Sequence, residues 1–274
     1  MSAKEKIAFV CQRYGLEVNG GAELHCRQLA EQLSALYDVT VYTTCAQDYV
    51  TWKNVYQPGE EDINGVHVKR YPVRWERNGL LFKLLSKKVF LDANHSNWME
   101  QRWIDAQGPF APAAIEALRA EHDQYRVVFF MTYLYYLTVR GSELNLSNAA
   151  LIPTVHDEQP VYLRVYEKVF GAAKAFAWNT HEEQAFATKR FPSIANTPGS
   201  MMGVGIQKPE VELPELPAQI QSTRYLVYAG RIDENKGCLE MFEFFQRYKR
   251  ENGGDLKLVL MGKPVIEEIG RAHV

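Results

Sequence analysis

Three observations predict an α/β protein built as two Rossmann-like, doubly wound domains. Short apolar runs alternate with helical segments from residue 7 to about residue 206. A glycine turn joins the first apolar run to the first helical segment, the opening of a βαβ unit. A proline-rich acidic stretch then interrupts the alternation, and a second strand–helix–strand series starts near Arg224. Strands and helices that alternate in this way build parallel sheets covered by helices.

The elements follow in order. Residues 7–11 are a short apolar strand, and residues 18–23, Val-Asn-Gly-Gly-Ala-Glu, are the glycine turn. Leu24, Leu29, Leu33 and Leu36 then recur at helical spacing up to Tyr37, and residues 39–44 read as the next strand. Residues 63–73 hold a short apolar/polar alternation with a turn at Asn64-Gly65. Residues 127–131 are a fully apolar strand, and 151–155 are another that runs into His156-Asp157-Glu158. Helical stretches lie at 113–121 and 161–170, and residues 174–178 and 180–191 continue the alternation.

Residues 208–217 carry Pro209, Pro214 and Pro217 among acidic residues and read as a linker, because prolines stiffen the chain and little apolar surface is available to bury. The expected division is a first domain over 1–206, a linker over 207–223, and a second domain over 224–267. The second series has a strand at 225–229, a helix at about 238–250, a turn at Asn252-Gly253-Gly254 and a strand at 256–261. Two strands and one helix are too few to cover a parallel sheet, so this domain is expected to be incomplete.

Bulk composition narrows the class. The 274 residues are 46% hydrophobic and 23% charged, an ordinary globular balance, with a net charge of −2. A large nucleic-acid-binding surface does not fit that charge. Cys11, Cys26, Cys45 and Cys238 are scattered without a Cys-x-x-Cys, so neither a metal site nor a disulfide framework is expected. The N-terminus lacks a signal-peptide core, no apolar stretch is long enough to span a bilayer, and a cytoplasmic location is the default. No Gly-x-Gly-x-x-Gly follows the first strand, which argues against a dinucleotide oxidoreductase.

The most informative segment is 224–237, Arg-Tyr-Leu-Val-Tyr-Ala-Gly-Arg-Ile-Asp-Glu-Asn-Lys-Gly. An apolar strand ends at Gly230, two cations follow at Arg231 and Lys236, and a helical pattern starts near Gly237. Fixed cations beside a helix N-terminus suit a phosphate-bearing ligand; the plain alternative is two solvated charges around a turn. Gly20 and Gly21 would allow a ligand close to the backbone, or form an ordinary βα turn. His156 follows a buried strand, where open α/β sheets place their ligands, although a lone histidine is more often structural. For Asp157 and Glu158, helix capping and hydrogen bonding are favoured over a general-base pair. Residues 74–91 mix Arg74, Arg77, Lys83, Lys87 and Lys88 with leucines and aromatics. If they are helical, Lys83 and Lys87 share one face and Leu81, Leu84 and Leu85 another, for packing on the core or for an anionic membrane surface.

Taken in order, Gly20-Gly21-Ala22-Glu23, Gly108-Pro109-Phe110, residues 132–136 (Thr-Tyr-Leu-Tyr-Tyr), 153–158 (Pro-Thr-Val-His-Asp-Glu), 179–183 (Asn-Thr-His-Glu-Glu) and Tyr228-Ala229-Gly230-Arg231 with Lys236-Gly237 resemble family 4 glycosyltransferases (glycosyl transferases group 1) of the bacterial surface-polysaccharide type. The resemblance implies the GT-B fold: two Rossmann-like domains facing a cleft, the second incomplete here. It implies transfer of a sugar from a nucleotide-sugar donor to a polysaccharide or lipid-linked saccharide acceptor, with retention, in polysaccharide or lipopolysaccharide biosynthesis. No essential metal and no cofactor beyond that co-substrate are implied. Arg231, Lys236 and Gly230 would bind the donor phosphates, Gly20 and Gly21 would form a loop near acceptor or diphosphate, and His156 would be catalytic. Peripheral contact with the inner face of the cell membrane would run through 74–91. A nucleotide-sugar epimerase of the same fold and a non-catalytic sugar-nucleotide-binding module are the alternatives.

The family's pair of glutamates seven residues apart has no counterpart after Met261, so this chain alone is expected to have little activity. Residues 269–274 back-translate in one frame to ATC GGA AGA GCA CAC GTC, the start of a common short-read sequencing adapter. Residues 268–274 are therefore expected to be a non-native tail.

Overall fold

The computed structural model describes residues 4–205, 215–218, 220–262 and 264. The linker expected over 207–223 lies partly outside these residues, and the expected tail, 268–274, lies wholly outside them. The chain divides into two compact units, Met1–Ile206 and Gln207–Val274.

In the first unit the order is β1 (Lys6–Val10), α1 (Gly21–Leu33), β2 (Asp38–Thr44), β3 (Gly59–Ile63), β4 (Val66–Tyr71), α2 (Gly79–Leu91), α3 (Asn97–Gln107), α4 (Pro112–Glu121), β5 (Val127–Met131), α5 (Tyr136–Ser142), β6 (Ala149–Ile152), α6 (Val165–Ala172), β7 (Ala175–Trp178), α7 (His181–Arg190) and β8 (Gly199–Met201). One eight-stranded sheet runs β3-β4-β2-β1-β5-β6-β7-β8. Every pairing is parallel except the β3–β4 hairpin at one edge. The chain moves outward from β1 in one direction through β2 and β4, then returns and moves the other way from β5 to β8. This is a doubly wound topology with its switch point between β1 and β5.

Alternation along β1 shows how the core is divided. Ile7 and Phe9 pack on one face with Cys26 and Ala30 of α1, while Ala8 and Val10 pack on the other with Leu118, Leu137, Val169 and Phe170. The leucine spacing in α1 marks its buried side only in part: Leu29 and Leu33 pack against the core. The helix stops at Leu33, Leu24 and Leu36 are exposed, and Glu23, His25, Cys26 and Ala30 are buried instead. Small Cys26 and Ala30 let the helix approach the sheet closely.

The second unit contains β9 (Tyr225–Ala229), α8 (Cys238–Asn252) and β10 (Lys257–Met261), with β9 and β10 parallel in register Tyr225↔Lys257 to Ala229↔Met261. This is one βαβ unit. Among the described residues, no helix is long and apolar enough to cross a membrane, and no group of three or more His, Cys, Asp or Glu is placed to hold a metal ion.

Two helical glycines give a paired test of the packing. A methyl group at Gly141 in α5 would strike the Phe130 ring, whereas one at Gly171 in α6 meets nothing within 4 Å. Gly141→Ala is expected to destabilise by about 1–3 kcal/mol through overpacking. Gly171→Ala is expected to stabilise by about 0.5–1 kcal/mol by restricting the unfolded chain. Urea unfolding measures both, and shifts of the same sign would refute this packing around β5.

Candidate functional site

The carboxyl ends of the parallel strands in the first unit collect its unusual chemistry. After β1 the chain enters Gln12 and Arg13, both buried. Arg13 donates to Glu23 Oε1 from Nε (3.0 Å) and Nη2 (2.6 Å), and Gln12 Nε2 adds a third donor at 2.8 Å. The other guanidinium contacts are to the carbonyls of Gln47 (2.9 Å) and Asn19 (3.1 Å). A buried ion pair of this kind is tolerated because its polar atoms are partnered. Glu23 lies in the first turn of α1, where negative charge also suits the helix dipole. Gly20 is the N-cap, and a Cβ there would land on the Glu23 carboxylate; at Gly21 a Cβ meets nothing within 4 Å. The two glycines thus differ: Gly20 makes room for the ion pair, and only Gly21 leaves open space.

Trp52, in the loop after β2, lies beside this pair. Its ring is 6.0 Å from the Arg13 guanidinium, 5.1 Å from that of Arg77, and edge-on to Tyr135 at 5.4 Å. Trp52 Nε1 donates to Gln107 O at 2.7 Å. Arg77 donates to the carbonyls of Gln107 and Tyr49 (3.0 Å to the latter), and burial lowers its pKa to about 10. Burial and then the nearby Glu23 charge push the Tyr135 hydroxyl up to about 12, so it is a neutral donor at pH 7. Trp52 (φ 59°), Thr132 (φ 62°) and Thr154 (φ 50°) hold left-handed backbone that bulky and β-branched residues rarely adopt. Thr132 and Thr154 follow adjacent strands β5 and β6, and Thr132 Oγ1 is buried without a hydrogen-bond partner. Strain of this kind gathers at ligand sites.

His156 follows β6 and is exposed, its Nε2 3.7 Å from Glu158 Oε2. Glu158 also accepts from the Tyr133 hydroxyl at 2.6 Å, and Asp157 accepts from Tyr162 at 2.7 Å. These carboxylates therefore accept hydrogen bonds from tyrosines, while the helix capping expected of one of them is not made by the side chain of Glu158 at the cap position. The loop carrying His156 is anchored by buried Glu183, which accepts from the backbone N–H of Val155 (2.8 Å) and of Asn179 (2.6 Å). Desolvation raises the Glu183 pKa against the pull of those bonds. Thr180 caps α7 by accepting from Glu183 N at 3.0 Å.

In the second unit, β9 ends at Gly230 (φ 154°), whose N–H donates to Met261 O at 2.9 Å. A side chain at Gly262 would strike the Gly230 carbonyl, so the two strand ends close on each other. Arg231 pairs with Asp233 through Nε. Asp233 is buried, and its other oxygen accepts from Lys236 N at 2.9 Å. One carboxylate thus holds the Arg231 guanidinium and the Lys236 backbone. The Lys236 side chain is exposed, and Gly237, left-handed at φ 69°, opens α8 without a side-chain cap.

The sequence reading named Arg231, Lys236, Gly230, Gly20, Gly21 and His156. The structure gathers the first three in one loop of the second unit, and places the glycines and His156 after β1 and β6 of the first. Asp233, Arg13, Glu23, Trp52, Tyr135 and Glu183 went unnamed as site residues. Asp233 had a signal, since Asp three residues before Lys236 is N-cap spacing. The others depend on contacts distant in sequence or on backbone strain.

No family model matches the chain, and no curated protein matches it. Solved structures do. An α,α-trehalose-6-phosphate synthase from Burkholderia multivorans is similar at TM-score 0.54 and 12% identity over 95% of this chain and 64% of that one. An α,α-trehalose-phosphate synthase (UDP-forming) from Burkholderia vietnamiensis is similar at TM-score 0.59 and 12% identity over 96% and 65%. The N-terminal domain of Candida albicans trehalose-6-phosphate phosphatase gives TM-score 0.58 and 12% identity over 97% and 66%. The chain spans just under two thirds of the length of each. These likenesses show the fold, which is GT-B with Rossmann-like domains.

The buried pair yields a prediction. Glu23→Ala leaves Arg13 buried without its carboxylate and is expected to cost about 3–5 kcal/mol. Gly20→Ala is expected to cost about 1–3 kcal/mol by crowding the same carboxylate. Gly21→Ala should stay within about 0.5 kcal/mol of wild type. Equilibrium unfolding ranks the three, and a Gly21 variant as damaged as the Gly20 variant would contradict the assignment.

Proposed function

We propose that this chain belongs to a glycosyltransferase that moves a sugar from a nucleotide-sugar donor to a saccharide or lipid-linked saccharide acceptor, with retention. The observation that carries the reading is the Gly230–Gly237 loop. At the carboxyl end of a parallel strand it joins two cations, one buried carboxylate that pairs with Arg231 and holds the Lys236 backbone, and a helix opened by glycine. Such a loop suits the diphosphate of an activated sugar. The GT-B likeness supports the same reading at the level of fold.

In this mechanism Arg231 and Lys236 hold the diphosphate and stabilise the negative charge that grows on it as the glycosidic bond breaks. Asp233 sets the position of both: it orients the Arg231 guanidinium and holds the Lys236 backbone in its turn. His156, exposed on a loop held by Glu183, hydrogen-bonds the donor sugar or the transition state. Gly21 is the residue of the glycine loop that leaves room for a ligand, while Gly20 serves the Arg13–Glu23 pair. Tyr135, neutral at pH 7, offers a donor to a saccharide acceptor at the strained strand ends, and buried Trp52 backs its ring edge-on. The acceptor is a surface polysaccharide or its lipid-linked precursor, handled in the cytoplasm at the inner face of the cell membrane.

Assays on the longest native product of the gene test the reading. Arg231→Ala and Lys236→Ala are each expected to lower turnover by roughly two to three orders of magnitude. The melting temperature should barely move in Lys236→Ala, which removes an exposed charge, and should fall in Arg231→Ala, which takes the ion-pair partner from buried Asp233. Near-normal turnover in both would place the phosphate clamp elsewhere. Nucleotide release that needs an acceptor supports transfer; release without one supports an epimerase, and binding without turnover supports a binding module.

A further inference from the structure

Apart from Ser86 and three lysines, α2 is apolar on every side, and a helix of that kind is normally covered all round. The protein covers one side. Phe82, Leu85, Val89 and Phe90 face the core, with the Trp103 ring 5.8 Å from Phe82 and 5.4 Å from Phe90. On the opposite side Leu80 is 77% exposed, Leu84 63% and Leu91 77%. The leucine face expected from sequence is therefore split: Leu85 turns inward, and Leu81 and Leu84 turn outward.

At about 100° of rotation per residue, Leu80, Leu84 and Leu91 fall within roughly 40° of one another and form a ridge. By the same rotation Lys83 and Lys87 lie on one flank of that ridge, and Lys88 with exposed Leu81 on the other. There is no acidic residue in α2. Beyond the short connection to α3, Trp98 is 65% exposed, with the Arg102 guanidinium 5.8 Å from its ring. An apolar ridge between cationic flanks is the surface that an anionic bilayer accepts: leucines enter the headgroup boundary while lysines reach lipid phosphates.

We propose that the outward face of α2 docks on an anionic lipid bilayer, with Leu80, Leu84 and Leu91 inserted and Lys83, Lys87 and Lys88 among the headgroup phosphates. A second copy is a poorer occupant, because pairing two such faces sets lysine flank against lysine flank. The net charge of the chain is −2, so this positive face is local and does not reflect a basic protein. The helix begins two residues after Arg77, which packs on Trp52. A docked membrane is thereby brought next to the carboxyl ends of the first unit's strands. This names the lipid partner of the acceptor side and rests on the glycosyltransferase reading for its purpose, though binding itself does not.

Co-sedimentation of the full chain with phosphatidylcholine vesicles, with and without about a third phosphatidylglycerol, tests the proposal. Binding is expected only to the anionic vesicles and is expected to weaken as salt rises. Each of Lys83→Gln, Lys87→Gln and Lys88→Gln should lower partitioning about fivefold. The triple variant Leu80→Ser, Leu84→Ser, Leu91→Ser should lose about tenfold or more at an unchanged melting temperature. Leu36→Ser, at an exposed leucine elsewhere, should behave as wild type. Three results overturn the proposal: folded wild-type chain that ignores anionic vesicles, serine variants that bind as well as wild type, or a dimer that the serine substitutions dissolve without any vesicle binding. No donor or acceptor is present, so failure here leaves the transferase reading standing, and loss of that reading leaves the binding result intact.

Discussion

The ion pair between Arg13 and Glu23 governs the working edge of the first unit. Both side chains are almost wholly out of water, so neither tolerates losing its partner. Their geometry dictates the surroundings. Gly20 must lack a side chain, the carbonyls of Asn19 and Gln47 must turn toward the guanidinium, and Trp52 packs alongside. The loops after β1 and β2 are thereby tied to the first turn of α1. The pair thus sits after the carboxyl end of β1, beside the switch point between β1 and β5.

The same device recurs at other junctions. Glu183 in the first turn of α7 accepts the backbone N–H groups of Val155 and Asn179, joining the loop after β6 to the turn after β7. Glu100 in the first turn of α3 accepts from Arg164 (2.9 Å), from Val165 N (2.8 Å) and from His95 (2.9 Å), fixing α3 against the start of α6. Asp233 performs the task ahead of α8. In each case a carboxylate near a helix N-terminus has turned from solvent to satisfy donors of a loop, a neighbouring one for Glu183 and its own for Asp233. The position favours negative charge, and the bonds offset desolvation. The opposing tendencies are visible in their titration: burial wins at Glu183, whose pKa is raised, while the bonds outweigh burial at Glu100, whose pKa is lowered.

Much of the fold was legible because parallel strands buried on both faces read as continuous apolar runs, as β1, β5 and β6 do. The elements that escaped have physical reasons. β3, Gly-Glu-Glu-Asp-Ile, is a charged edge strand whose partners are backbone groups rather than core. β8 has three exposed residues. α5 spans seven residues and begins in an aromatic run without a capping side chain. The face of α2 could not be read from leucine spacing, since its apolar residues present no preferred side until Trp103 of α3 packs on Phe82 and Phe90. At the site, Arg231 and Lys236 could be named from the sequence because a strand end and a helix start flank them within one short segment. Arg13, Trp52, Arg77 and Tyr135 could not, because the chain must fold before they share a crevice.

The two units hold their strand ends by different means. In the first, each strand end is backed by a sheet packed on both faces, and long-range pairs such as Arg13–Glu23 bear on that support. In the second, β9 and β10 form a two-stranded parallel pair with Leu226 and Val227, successive residues that point to opposite faces, both 52% exposed. Packing contributes little order there, and the loop's shape rests on short-range bonds. The Tyr228 hydroxyl donates to Arg231 O at 2.9 Å, Gly230 N–H to Met261 O, and Asp233 joins Arg231 to the Lys236 backbone. These bonds close within eight residues of sequence, apart from the link to β10, and so cost little chain entropy to form. The shape of the Gly230–Gly237 loop is therefore set largely by its own local bonds, whereas the strained strand ends of the first unit need the whole sheet behind them.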